Sequence, residues 1–137
     1  MDSKRQKTQE GTMKALLLVA HGSRRKQSND EVILLAKNLK NSCSEQYEVV
    51  NAAFLELADV LIPDGIKQCV NEGASSIVVL PYFLNSGRHV VEDIPTIINS
   101  CISQYPNVNI SLAPHLGASP LMMNLLISSA NSAKMMK

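Results

Sequence analysis

The 137-residue sequence has little of what several functions require. Charge is nearly balanced: 13 basic and 12 acidic groups leave a formal net charge of +1. A nucleic-acid binder usually needs a strongly basic face, so that class is disfavoured. Long apolar runs are missing. The run over 15–20 is far too short to span a membrane and no other approaches that length, so a cytoplasmic protein without membrane attachment is expected. Cysteine is sparse and odd in number; Cys43, Cys69 and Cys101 are widely spaced, with no CxxC or Cys/His pairing. That excludes a zinc or cluster signature and disfavours a disulfide scaffold, leaving free thiols with structural roles in a reducing compartment. Neither GxxxxGK[ST] nor GxGxxG occurs, so the usual phosphate and dinucleotide cradles are absent. Only five aromatic side chains are present, and two of them, Tyr82 and Phe83, are adjacent.

What is present is a strict alternation. Continuous apolar runs at 14–20, 48–54, 76–80 and 108–112 read as buried strands. Segments 29–42, 59–72, 91–103 and 120–132 carry helical spacing or helix-start signals. Ser28 or Asn29 stands where a cap for the first helix is expected, and Asp59 where one is expected for the second. Pro63 and Pro95 fall early in their helices, where a missing N–H costs little; Gly73 ends the second helix. Residues 1–12 have no apolar periodicity and are expected to form a disordered tail, with 13–137 a single domain. Four βα units of this kind imply a parallel sheet covered on both faces, with right-handed crossovers and ligands bound outside the carboxyl ends of the strands.

The chemically interesting residues fall at those ends. His21 follows the first strand in HGSRRK, where Gly22 permits a tight turn and Ser23, Arg24, Arg25 and Lys26 add three positive charges. Glu56 follows the second strand, His89 the third and His115 the fourth. The stretch 81–95 combines Tyr82, Phe83 and Leu84 with a flexible Asn-Ser-Gly segment and then Arg88 and His89, a composition suited to a lid over a planar anionic ligand. Each feature has a plain alternative: a solvated turn for HGSRRK, a helix-start acid for Glu56, core or interface packing for Tyr82–Leu84, a helix-start residue for His89 and a turn-shaping one for His115. His21 and His89 are 68 residues apart but hold similar places in their βα units. If their strands are neighbours, both imidazoles face one cleft. Neutral imidazole binds first-row divalent metals, and its reference pKa near 6.5 also suits proton transfer. The ligand set is thin for a resident metal, so transient or substrate-shared coordination is expected.

Four segments, LLLVAHGSRRKQSN, AFLELADV, VVLPYFLNSGRHVVEDIP and LAPHLGASP, in this order and spacing, resemble the short, single-lobe sirohydrochlorin chelatases of the small CbiX/SirB type over 14–127. The resemblance implies a three-layer α/β/α chelatase-like lobe with a four-stranded parallel sheet. It also implies insertion of a divalent metal (Co2+, Fe2+ or Ni2+) into sirohydrochlorin, an acid-rich tetrapyrrole, without an organic cofactor. The family's two active-site histidines fall on His21 and His89, which would hold the metal, and its loop glutamate falls on Glu56. Ser23, Arg24, Arg25, Lys26, Tyr82, Phe83, Arg88 and His115 are then candidates for contact with the substrate. The small forms are homodimers, so a second subunit is expected to supply the opposite wall of the cleft, with Tyr82–Leu84 and the Met-rich last helix as candidate interface. The competing possibilities are a tetrapyrrole or metal carrier without catalysis, and a small phosphate-handling α/β enzyme.

Overall fold

A computed structural model describes residues 12–137; the expected tail, Thr12 apart, lies outside the described residues. Four strands, β1 (Lys14–Ala20), β2 (Val49–Phe54), β3 (Ser76–Pro81) and β4 (Asn109–Leu112), form one sheet in the order β2-β1-β3-β4. All pairings are parallel, as the alternation requires; Leu17 of β1 lies between Asn51 and Val79 in register.

A parallel sheet must bury both faces, and β1 does so almost completely: Ala15 through Ala20 are all buried. On one face Leu17, Val19, Ala53, Ile77 and Val79 pack against α2 (Ile62–Asn71) and α3 (Ile94–Ile102) through Ile62, Ile66, Ile94 and Ile98. On the other, Leu16, Leu18 and Val50 meet α1 (Lys26–Cys43) at Ala36, with Val32 and Leu39 alongside. Each fully buried Leu or Ile contributes about 1.5–3 kcal/mol of transfer free energy, so the central strand is the fixed reference on which the loops are mounted. The last helix, α4 (Met122–Asn131), has no buried residue. Leu121, Met123, Leu125, Leu126 and Ile127 are each more than half exposed.

Helix starts differ from the expected ones. Helix α1 begins at Lys26, not at 29, because Ser23 Oγ accepts the Arg25 N–H at 3.0 Å and turns the chain early. Neither Ser28 nor Asn29 caps it. Helix α2 begins at Ile62 rather than after Asp59, with Pro63 in its first turn; a start at 59 would put that proline where its missing N–H breaks the ladder. In the third unit α3 is preceded by a five-residue π-helical turn, His89–Asp93.

Candidate metal and proton site

The strand order brings the predicted loops together. β1 lies between β2 and β3, and backbone pairing continues past the strand ends: the Leu55 and Glu56 N–H groups donate to Ala20 and His21 carbonyls at 3.0 and 3.1 Å, and the Tyr82 N–H donates to Val19 at 2.7 Å. His21 therefore leaves the sheet between the loop that carries Glu56 and the loop that carries His89. Its Nε2 lies 3.1 Å from Glu56 Oε2. Its ring faces that of His89, with centroids 4.6 Å apart and planes tilted by 35°. His89 Nδ1 in turn lies 2.8 Å from Asp93 Oδ2. All four side chains are about half exposed, so within one chain the site is an open shelf rather than a closed cleft.

Two residues hold the shelf in shape. Gly22 has φ +99°, and a Cβ there would sit 1.7 Å from the Glu56 carbonyl oxygen, so only glycine lets the two loops approach this closely. Asn29, in the first turns of α1, is the one buried polar side chain among the described residues. Its Oδ1 accepts the Ser23 N–H, and its Nδ2 donates to the Ser23 and Leu57 carbonyls, each at 2.9 Å. It thus ties the His21 loop to the Glu56 loop and holds Leu57 at φ 57°, an uncommon conformation for that residue. A polar residue expected as a cap is instead a buried clamp; no sequence period distinguishes the two.

The π-helical turn under His89 has a local cause. Pro95 offers no N–H and its ring crowds the carbonyl four residues earlier, which a wider turn relieves; the Ile94 N–H reaches back to His89 O. Asp93 is not among the residues expected from the sequence to lie beside His89. Its signal, an acid four residues after a histidine, was present but indistinguishable from an ordinary acidic first turn.

The remaining candidates divide. Lys26 pairs with Asp30 at 3.0 Å and Arg88 with Glu92 at 3.8 Å, both exposed i,i+4 contacts. Arg24 and Arg25 have no ion-pair partner among the described residues. Ser23 is committed to the turn into α1. Phe83 packs against the core, whereas Tyr82 is 40% exposed. The Gly117 N–H donates to Phe83 O at 2.9 Å, so the loop that follows His115 is strapped to the Tyr82–Leu84 segment. A hollow of about 410 Å³ along α1 and β2 takes Ser23, Arg24 and Lys26 into its lining but neither histidine.

Among the described residues no three His, Cys, Asp or Glu side chains converge on a common metal position. The cysteines stay out of this chemistry: Cys69 and Cys101 are buried and Cys43 partly so, all unpaired with one another. Burial pushes the Cys69 thiol up to about 11, against a hydrogen bond from Asn51 and with help from the Glu72 carboxylate. What remains is two facing imidazoles, each backed by a carboxylate. Asp93 faces His89 Nδ1 within hydrogen-bond distance and Glu56 faces His21 Nε2 at ion-pair distance, so in each ring the other nitrogen is left open. Such a pair presents two donors and leaves the rest of a metal's coordination sphere open.

The CbiX family model matches residues 15–133. The chain is 32% identical over 116 residues to the chloroplastic sirohydrochlorin ferrochelatase of Arabidopsis thaliana, covering 85% of this chain and 51% of that protein. It is 35% identical over 86 residues to the sirohydrochlorin cobaltochelatase of Methanocaldococcus jannaschii, covering 63% of this chain and 59% of that protein. Among solved structures, SirB from Bacillus subtilis with Fe3+ superposes with a TM-score of 0.77 at 30% identity, covering 89% of this chain and 48% of that one. The chain therefore spans about half to three fifths of the length of these three relatives.

Proposed function

The chain belongs to the CbiX family, and from that premise we propose that it inserts a divalent metal ion into sirohydrochlorin, as one chelatase-like lobe over 13–137. The observation that carries this is the facing pair His21 and His89, 4.6 Å apart, at the carboxyl ends of adjacent strands. Two imidazoles bound side by side to one ion, with metal–nitrogen bonds of about 2.0–2.1 Å, have ring separations of this order. The poverty of the donor set supports the same conclusion. A metal that must be handed to four macrocycle nitrogens is better held by two ligands than by a closed cage.

The reaction balances simply. The macrocycle gives up two pyrrole N–H protons as M2+ enters, and its nitrogens replace the imidazoles on the metal. Each histidine, once released by the metal, has a free lone pair with which to accept a proton, and Glu56, against His21, passes one of them to water. Of the cations, Arg24 and Arg25 are available to bind substrate carboxylates in bidentate fashion. Lys26 and Arg88 are released at little cost, since exposed i,i+4 pairs are worth only about 0.3–0.5 kcal/mol. Tyr82, Phe83 and His115 lie on the neighbouring loops as further contacts, with Ser23 holding the turn. No organic cofactor enters the scheme.

A half-exposed shelf needs an opposite wall, which we assign to a second copy of the chain in a homodimer. Tyr82, Leu84 and the apolar α4, all exposed, supply surface for that contact. No helix among the described residues is long and apolar enough to cross a membrane; we place the protein in the cytoplasm, where its unpaired thiols stay reduced. The metal is Co2+, Fe2+ or Ni2+. The test is substitution of the pair. His89→Ala removes a half-exposed side chain, so the fold should survive, with a circular dichroism spectrum and melting temperature like the wild type, while metal insertion followed by absorbance is abolished. A folded His89→Ala protein that inserts metal at near-normal rate overturns the assignment.

A further inference from the structure

We propose that Asp93 is a positioning residue that keeps the His89 proton on Nδ1, so that His89 offers its Nε2 to a metal ion. The 2.8 Å hydrogen bond between Asp93 Oδ2 and His89 Nδ1 engages one side of that ring, whereas His21 meets Glu56 only at ion-pair distance, 3.1 Å from Nε2 to Oε2. The His89 ring is thus anchored from outside the pair through Nδ1, and its Nε2 is left free.

Asp93 is well placed to do this. The residue after it, Ile94, is fully buried and opens α3 against the sheet, so the Asp93 backbone is set by the core. His89 rides on the exposed turn just before, joined to it by the bond from the Ile94 N–H to His89 O. The neighbouring acid, Glu92, faces Arg88 instead at 3.8 Å, which leaves Asp93 as the acid committed to the ring. A carboxylate behind a metal-binding histidine fixes its tautomer and orientation, and loss of such a partner typically weakens metal binding about 10–100-fold.

This inference rests on the proposed function only in taking the pair to bind metal, and its test does not require turnover. Long-range proton–nitrogen NMR of the metal-free protein, at a pH where the ring is neutral, reads the tautomer of His89; titration with Co2+ alone reads the affinity. In the wild type the His89 proton is expected on Nδ1. In Asp93→Ala it moves to Nε2 and Co2+ binding weakens about 10–100-fold, with melting temperature little changed because the Asp93 side chain is partly exposed and lies outside the core. Asp93→Asn, whose carboxamide oxygen still accepts, is expected to retain the Nδ1 proton and lose less affinity, which a merely structural role would not produce. A wild-type His89 protonated on Nε2, or an Asp93→Ala protein with wild-type Co2+ affinity, overturns the proposal. Should Asp93→Ala fail to fold, the wild-type tautomer decides: a His89 proton on Nδ1 supports the role and one on Nε2 removes it. A wild-type protein that binds Co2+ as described but inserts no metal into sirohydrochlorin would refute the proposed function and leave the role of Asp93 standing.

Discussion

Replacing Gly22 with alanine is the sharpest single test of how the His21 and Glu56 loops are joined. The backbone there has φ +99°, and the added Cβ would lie 1.7 Å from the Glu56 carbonyl oxygen and 2.9 Å from its carbon. A residue with a Cβ costs roughly 1–2 kcal/mol in the left-handed region, and a clash relieved by backbone movement adds about 1–3 kcal/mol. The sum, about 2–5 kcal/mol, is a large part of the roughly 5–15 kcal/mol that keeps a domain of this size folded. The movement is not neutral for the site. The Glu56 N–H is bonded to the His21 carbonyl at 3.1 Å, so displacing the Glu56 peptide separates the carboxylate from the imidazole it faces. Urea unfolding should therefore show a lower midpoint with an unchanged slope. Metal insertion, measured where the variant is still fully folded, should fall further than stability alone explains. A Gly22→Ala protein within about 0.5 kcal/mol of the wild type, with normal insertion, would refute the claim that these loops are held in contact by the absence of a side chain.

Other consequences are equally specific. Asn29→Ala deletes three hydrogen bonds of 2.9 Å from a buried carboxamide and should cost about 2–4 kcal/mol in urea unfolding at roughly 1 kcal/mol per bond; an exposed-residue effect near zero would contradict the clamp. The raised Cys69 pKa has a definite sign: the unfolded thiol ionises first, so its contribution to stability is complete below about pH 9 and is lost as pH rises toward about 11. Over that window the loss amounts to about 2–3 kcal/mol; Cys69→Ala should lack this component of the alkaline decline, and an identical decline in both proteins would argue against it. In the native protein at neutral pH, the partly exposed Cys43 should react with iodoacetamide well before Cys69 or Cys101; equal reactivity would show that the two core thiols are accessible.

Much of this architecture was legible in the chain because buried parallel strands are continuous apolar runs. Lys14–Ala20 was placed to the residue, and the neighbourhood of His21 and His89 followed once β1 and β3 were adjacent. Where side chains do work across the chain, local patterns misled. Asn29 has the composition of a cap, but its partners are Ser23 and Leu57, one of them 28 residues away. Asp93 has the composition of an acidic first turn, but its partner is a histidine on the same π-helical turn. Helix α4 carries an apolar pattern like that of a packed helix, yet buries none of it within the chain; periodicity reports that a face seeks burial, not what buries it.

The most direct measurement is multiple-turnover metal insertion. Sirohydrochlorin in large excess over protein, with limiting Co2+, Fe2+ or Ni2+ supplied in separate reactions, is followed by the absorbance change of the metallated product, alongside His21→Ala and His89→Ala. Many products per chain for at least one metal, lost in both variants while Co2+-free folding is unchanged, is the expected result. Acceleration that stops at one product per site, or turnover that survives removal of both imidazoles, would contradict the assignment of His21 and His89 as the groups that deliver the metal.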